Sequence, residues 1–465
     1  MATQHILRTG GWREEAAINH RTYNAALAAG SPLLAAWLAQ RWITGKSRPG
    51  WRERWGKLPE SVVAANGCVW LHAVSVGETV AAIPIAQSLR QQAPHRPIVA
   101  SVSTPTGMAI AQSRLSALVD GIFYMPFDLP WVAERVLDGL RPRAFAAVES
   151  ELWPNLLHAL RRRAIPTLVV NARMSDRTLR FALGAGRGVY RWMLANVDRV
   201  LAQSDEDARR FRQVAGPVWS EGVCRTLGNS KYDTASPVLN AAETAALRAN
   251  LRLPAAAPVF IAGSTRSGQE DGVVLDAYRR MAQAVPGLCL IIAPRHLERV
   301  PALEREMLAA RLTPVRRTAI PPEGDVRCII LDTLGELASL YSVADVAFVG
   351  NSFPPVVKGG GQSLTQPVLY GLPTLFGPHI ATVRSVAGQL QEAGIGFQVH
   401  SVDSLSDVAI GLFSSPEQRA SIHLAAANLV AANQGASQRF ASEILQLASR
   451  GAAGCEGVGQ HGRSA

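Results

Sequence analysis

Cysteine is scarce. There are five in 465 residues, at positions 68, 224, 289, 328 and 455, an odd number, widely spaced and without a CxxC. That excludes a disulfide framework and a cysteine zinc site, and it suits a reducing compartment. The ten histidines include no HExxH pair, so no metal site is expected. No P-loop signature GxxxxGKS/T occurs, and no GxGxxG lies in a first strand-to-helix turn. A P-loop NTPase and a dinucleotide fold are therefore disfavoured, and no cofactor is expected. Aromatics are 6% of the chain, and no basic tract in its body carries stacking aromatics, so nucleic acid is not an expected partner. A long apolar run is also missing. Residues 22–40 carry no charge, which is nearly the length of a membrane span, but Asn24, Ser31 and Pro32 interrupt them and alanine supplies most of the bulk. A surface helix and a shallow membrane-associated helix both fit, better than a span.

What is present describes a folded protein of more than one domain. Hydrophobic residues make up 48%, and 39 Gly and 28 Pro are scattered without period, which excludes collagen and coiled coil and suits many strand–helix turns. Forty-seven Lys+Arg against 36 Asp+Glu give +11, a charge that attracts anionic lipid or phosphorylated substrates as well as nucleic acid. Arg41, Lys46, Arg48, Arg52, Arg54 and Lys57 interleave with Trp42, Trp51 and Trp55, the composition of a membrane-interface belt.

After Pro59, short apolar runs alternate with longer amphipathic segments. This is the pattern of βα units around parallel sheets. Two such series predict an α/β fold of two Rossmann-like doubly wound domains facing a cleft, with an N-terminal membrane-associated helix. The expected divisions are 1–58 for that helix and basic segment, 59–235 for the first domain, and 236–258 for a linker. The second domain covers 259–430. A C-terminal helix and a disordered tail cover 431–465, the tail beginning after Arg450. Parallel sheets bind ligands beyond the carboxyl ends of their strands, so the loops there hold the candidates.

HAVSVGE (72–78) places Glu78 at a helix start, where the dipole favours the ionised form and a carboxylate is suited to accept a proton. VESELWPN (148–155) holds Glu149 and Glu151, which point the same way if the segment is extended and could shift each other's pKa. GNSKYD (228–233) holds Lys231, a cation for a phosphate or a developing negative charge. In the second series, GSTRSGQED (263–271), APRH (293–296), DTLGEL (332–337) and KGGGQSLTQP (358–367) are strand-to-helix turns whose backbone N–H groups suit phosphate. Each of these, taken singly, is equally ordinary turn and capping chemistry.

Taken in order, PGWRERWG, HAVSVGE, STPTG, YMPFDLPW, VESELWPN, NARMS, GNSKYD, PRH, DTLGELASLYSVADVAFVG and LFGPH make the chain resemble the bacterial Kdo (3-deoxy-D-manno-octulosonic acid) transferases, from residue 48 to about 394. The resemblance implies the two-domain glycosyltransferase fold called GT-B. It implies CMP-Kdo as donor, a lipid A precursor as acceptor, an anionic membrane surface, and the cytoplasmic face of the cell inner membrane. The family's general base corresponds to Glu78, and its transition-state-stabilising pair to Glu149 and Lys231. Its CMP contacts correspond to Pro294 and Arg295, to Leu334, Gly335 and Glu336, and to Ser363, Leu364, Thr365 and Gln366. The last loop departs from the family's GGHNxxEP or GGQNxxEP: Ser363 replaces Asn and Gln366 replaces Glu. Arg266, where many relatives have His, departs as well. The changed loop keeps in view a GT-B transferase or sugar-nucleotide epimerase with another donor; a silent membrane-associated binding protein of this fold is a further alternative, against which Glu78, Glu149 and Lys231 together argue.

Overall fold

The computed structural model describes residues 20–43, 49–216, 219, 222–233, 239–356 and 360–456. The chain divides into two compact units, Met1–Thr234 with Gln434–Ala465, and Ala235–Asn433.

The first unit carries β1 (Val69–Ala73), β2 (Ile98–Val102), β3 (Gly121–Tyr124), β4 (Ala144–Val148), β5 (Thr167–Ala172), β6 (Arg199–Ala202) and β7 (Cys224–Thr226). All pairings are parallel, in the order β3-β2-β1-β4-β5-β6-β7. Every residue of β1, β2 and β4 is buried. That is why these strands read as continuous apolar runs: both faces of a parallel sheet are covered by helices. Val69 and Leu71 face one core, and Trp70 between them faces the other. Strand β7 has no counterpart in the sequence pattern. Three residues with no apolar run leave nothing for periodicity to find.

The second unit carries β8 (Val259–Thr265), β9 (Cys289–Pro294), β10 (Pro314–Arg316), β11 (Cys328–Ile330), β12 (Val346–Val349), β13 (Thr374–Phe376) and β14 (Gly396–Gln398), all parallel. Their order is β10-β11-β9-β8-β12-β13-β14. Each sheet therefore reverses its winding once, between β1 and β4 and between β8 and β12. These switch points are where doubly wound sheets open a crevice for ligands.

Residues 236–258, predicted to be a linker, contain the helix Ala241–Asn250, and Leu251, Leu253 and Ala257 are buried in the core of the second unit. The long C-terminal helix is broken at Gly435, whose φ of +79° favours glycine. Its second half, Ala436–Glu456, returns to the first unit, where Phe440, Ala441 and Ile444 join the core with Val69 and Leu71. Asp233 accepts the backbone N–H groups of Gly435 and Ser437, both at 2.7 Å, and fixes that return. The helix runs on to Glu456, past Arg450 and into the stretch predicted to be a disordered tail; 457–465 lie outside the described residues.

The N-terminal segment forms two helices, His20–Ala29 and Ser31–Ile43. The first is held to the helix Pro154–Arg162 by the stack of His20 on His158 at 3.8 Å and by Asn24 donating to Asn155 at 2.8 Å. The second exposes Leu33, Trp37, Trp42 and Ile43. No helix among the described residues is long and apolar enough to cross a membrane. The basic residues Lys46 and Arg48 and the side chain of Arg41 lie outside the described part.

Candidate active site

Three motifs meet at the β1–β4 switch point. Glu78 is the third residue of the helix Val76–Gln92 and reaches back over its start. Its carboxylate accepts the Val74 N–H at 2.6 Å and the Ser75 hydroxyl at 2.9 Å. Burial and then the charge of Glu149 push its carboxyl up to about 7, against the partial relief of these bonds and of Lys231. A carboxylate so placed is a far stronger base than an ordinary glutamate.

Glu149 does not sit in an extended segment. Its φ is +67°, so the chain turns sharply right after β4 and the expected shared direction of Glu149 and Glu151 does not arise from strand alternation. Glu149 is only 4% exposed. Its carboxylate receives the Lys231 ammonium at 2.7 Å and the Arg173 guanidinium at 3.4 Å. Burial alone would raise its pKa; the two cations outweigh burial and hold it below the ordinary value. Glu151 is placed differently. Burial, Glu78 and Glu149 push it up to about 7. Glu78 and Glu151 thus both keep their protons to higher pH than an ordinary glutamate, while the cations beside Glu149 favour its ionised form.

The sequence suggests at Lys231 a cation open to a ligand; its ammonium is instead paired with Glu149, with one-quarter of the side chain exposed. Its backbone is set by a relay of buried amides. Asn171 Oδ1 accepts the Ser230 N–H at 3.0 Å, Gln203 donates to the Asn171 carbonyl, Asn229 donates to Gln203, and Asn229 Oδ1 accepts the Lys231 N–H. Arg173 and Asn171 belong to NARMS, to which the sequence assigns no role. Asn171, at φ +52°, is of the residue type that tolerates such a turn, the one local signal available.

His72 ties two of the motifs together. Trp153 Nε1 donates to His72 Nε2 at 3.1 Å, so Nδ1 carries the ring proton and faces the Ser101 carbonyl at 3.2 Å. Burial lowers its pKa to about 4, so the ring is neutral and serves as a strut between β1 and the ELWPN loop.

In the second unit the expected contacts fall at the carboxyl ends of β9, β11 and β12. Pro294 ends β9, and the exposed Arg295 anchors its N–H on the Thr265 carbonyl at 2.7 Å. Leu334 is 78% exposed, and Gly335 has φ +91° in an open turn. Glu336 is already engaged, by Arg317 at 3.3 Å and by the Thr333 hydroxyl. In the glycine loop, Ser363 is exposed and bonded to Thr365 at 2.9 Å. The Leu364 and Thr365 side chains are buried, which leaves them backbone groups to offer; Gln366 is half-buried. Gly361 has φ +88°, and a Cβ there would lie 2.5 Å from Val383. Among the described residues no cluster of His, Cys, Asp or Glu could hold a metal ion.

Two doubly wound units, with carboxylates at the switch point of the first and glycine-rich turns in the second, define an α/β fold of the GT-B type. The UDP-GlcNAc 2-epimerase from Neisseria meningitidis shares the fold, with a TM-score of 0.56 at 11% identity over 82% of this chain and 99% of that one. Residues 49–234 match the family described as 3-Deoxy-D-manno-octulosonic-acid transferase (kdotransferase). The 3-deoxy-D-manno-octulosonic acid transferases of Bordetella pertussis and Haemophilus influenzae are 32% and 30% identical. They cover 90% and 83% of this chain, which spans 96% and 89% of theirs. The chain belongs to this family of glycosyltransferases.

Proposed function

We propose that the chain transfers Kdo from CMP-Kdo to a lipid A precursor at the cytoplasmic face of the inner membrane. The observation that carries the reading is the carboxylate group of the first unit: a strongly basic Glu78 beside a Glu149 neutralised by Lys231. Glu78 removes the proton from an acceptor sugar hydroxyl as its oxygen forms a bond to the anomeric carbon of Kdo. The bond from that carbon to the cytidylate phosphate breaks, and its electron pair leaves on the phosphate oxygen. Fixed cations and backbone N–H groups balance the charge that develops. Arg295 is assigned to the donor, and the Glu149–Lys231 pair to the transition state. The test is mass spectrometry of the lipid formed from CMP-Kdo and a tetra-acylated lipid A precursor. Clear preference for a UDP- or GDP-sugar in a donor panel would overturn it.

The glycine loop yields a prediction. Replacing Gln366 by Glu restores an acidic acceptor for ribose hydroxyls. Bonds to charged acceptors are worth ~1.5–3 kcal/mol against about 1 for neutral ones. Isothermal titration with CMP should show binding that is tighter or unchanged. A marked loss would mean the loop is built around the amide and favours a different donor.

The N-terminal helices give another. Leu33, Trp37, Trp42 and Ile43 are exposed, and Trp42 packs on Trp51 at 4.7 Å next to Arg52 and Arg54. Aromatics and basic residues together suit an anionic bilayer surface, each Lys or Arg adding ~1 kcal/mol that falls with salt. The protein should sediment with anionic vesicles, less with neutral ones, and be released by high salt. Retention through salt and alkaline washes would show an anchor instead of peripheral attachment.

A further inference from the structure

The motif GSTRSGQED carries a second glutamate whose surroundings differ from those of Glu78. Glu270 is the third residue of the helix Gly268–Ala284, after the N-cap Ser267, as Glu78 follows Ser75. It too reaches back over its helix start, accepting the Arg266 N–H at 2.9 Å. There the likeness ends. Glu270 is fully buried, and its carboxylate also takes the backbone N–H groups of Asn351 at 2.8 Å, Ser352 at 2.9 Å and Phe353 at 3.1 Å. Four main-chain donors from two loops converge on one side chain. Those loops follow β8 and β12, the strands that flank the switch point of the second sheet.

The loop after β12 is a hub. Asn351 turns at φ +57°, and a Cβ on Gly350 would fall 2.6 Å from the Thr265 Cα, so the two loops touch main chain to main chain. The Asn351 carbonyl accepts the Gly361 N–H at 2.6 Å, which holds the start of the glycine loop. The Ser352 hydroxyl accepts the Gly377 N–H at 2.9 Å, and the Ser352 carbonyl accepts the His379 N–H at 3.0 Å. The shape of the hub therefore reaches the Gly360–Gln366 turn and the loop after β13. One carboxylate gathers the three successive N–H groups from which that shape is built.

We propose that Glu270 is a positioning residue for the nucleotide donor: through the backbone of Asn351, Ser352 and Phe353 it holds the switch-point loops of the second unit in the shape that receives the nucleotide. The proposal rests on the reading that this unit binds a cytidylate donor. Glu270 is buried beneath the main chain it gathers and acts only through that main chain. Misplacing positioning groups by about 1 Å costs on the order of a hundredfold in rate, and groups that hold the nucleotide lose affinity when their loop is distorted.

The test uses the full-length protein and CMP as the probe. In Glu270→Gln the amide turns an N–H₂ toward main-chain donors, breaking part of the hub without changing volume. Ser352→Ala, a milder change, removes only the hydroxyl that accepts from the Gly377 N–H and donates to the Val349 carbonyl. Glu243→Gln makes the same change at an exposed helix cap of the same unit, where the amide oxygen can still accept the Asn240 N–H, and serves as comparator. Circular dichroism and thermal melts report folding; isothermal titration reports CMP affinity; steady-state kinetics separate donor KM from kcat. Expected are a loss of CMP affinity of about tenfold to a hundredfold in Glu270→Gln with a matching rise in donor KM, a smaller loss in Ser352→Ala, and none in Glu243→Gln. If Glu270→Gln does not fold, Ser352→Ala decides. Folded variants with native CMP affinity would overturn the positioning role, as would an equal loss in Glu243→Gln. Failure of the native protein itself to bind CMP would instead remove the donor reading, and this proposal with it.

Discussion

Glu78→Gln should lose most activity, by ~10²–10⁴ in kcat, while folding and CMP binding persist. The amide oxygen can still accept the Val74 N–H, and the Ser75 hydroxyl can turn to accept from the new N–H₂, so the local geometry survives. What disappears is proton acceptance. In the native protein kcat/KM should fall on the acid side through an apparent pKa near 7, since burial and Glu149 raise Glu78 and the deprotonated form is the reactive one. Stability should respond in the opposite sense. A carboxyl raised from 4.5 to about 7 binds its proton more tightly when folded, so the native protein loses stability as pH rises between those values. Above that range the loss is complete, on the order of 3 kcal/mol at ~1.4 kcal/mol per pK unit. Glu78→Gln escapes this and should melt higher than the native protein at about pH 8, with the gain shrinking toward about pH 4. Near-normal turnover in Glu78→Gln would move the base to Glu151, whose pKa is similarly raised; Glu149 is held ionised by two cations and is poorly suited to take a proton.

Lys231→Ala should damage both rate and fold. Removing one partner of a buried ion pair typically costs ~3–5 kcal/mol, because the other charge stays buried. Here Glu149 would keep Arg173, at 3.4 Å. The pH sign follows from the depressed pKa of Glu149: its stabilising contribution is present above the unfolded value near 4.5 and is lost as pH falls through the lower folded value. The gap in melting temperature between native and Lys231→Ala protein should thus be widest near neutral pH and close below about pH 4.5. In the folded fraction kcat should fall, since the pair is assigned to developing charge. Arg295→Ala should instead raise the donor KM, as Arg295 is exposed at the end of β9 and contributes to no core. Identical kinetic signatures for the two variants would contradict that division.

Much of the frame was legible in the residues. Strands buried on both faces are apolar nearly throughout, so β1, β2, β4 and β8 were visible as runs. Strand β7 was not: it has three residues, of which only Cys224 is buried. The return of Ala436–Glu456 to the first unit was hidden, because amphipathic spacing shows that a helix has an apolar face and not which core that face enters. A composition rich in Ala, Asn and Pro made 236–258 read as a linker, though three of its residues are core.

The two glutamates of the S-x-x-E helix starts mark the boundary most sharply. Ser75 with Glu78 and Ser267 with Glu270 are the same local motif, and local chemistry assigns both the same capping role. The sequence by itself determined the two winding sheets, the helix starts beyond their strands and the residue types placed there, because periodicity and capping are short-range properties. Only the tertiary structure decided what each carboxylate does. Glu78 is made basic by its burial and by the charge of Glu149, 71 positions away; Glu270 lies under three successive main-chain N–H groups that arrive from residues 81 to 83 positions away and consume it. The same reason applies to Lys231, which looks like a free cation in the chain and is a half-buried counter-ion to the buried Glu149 across 82 positions. Charge acquires its chemical role from neighbours in space, and through the low-dielectric interior those neighbours act far more strongly than any that adjoin it in sequence.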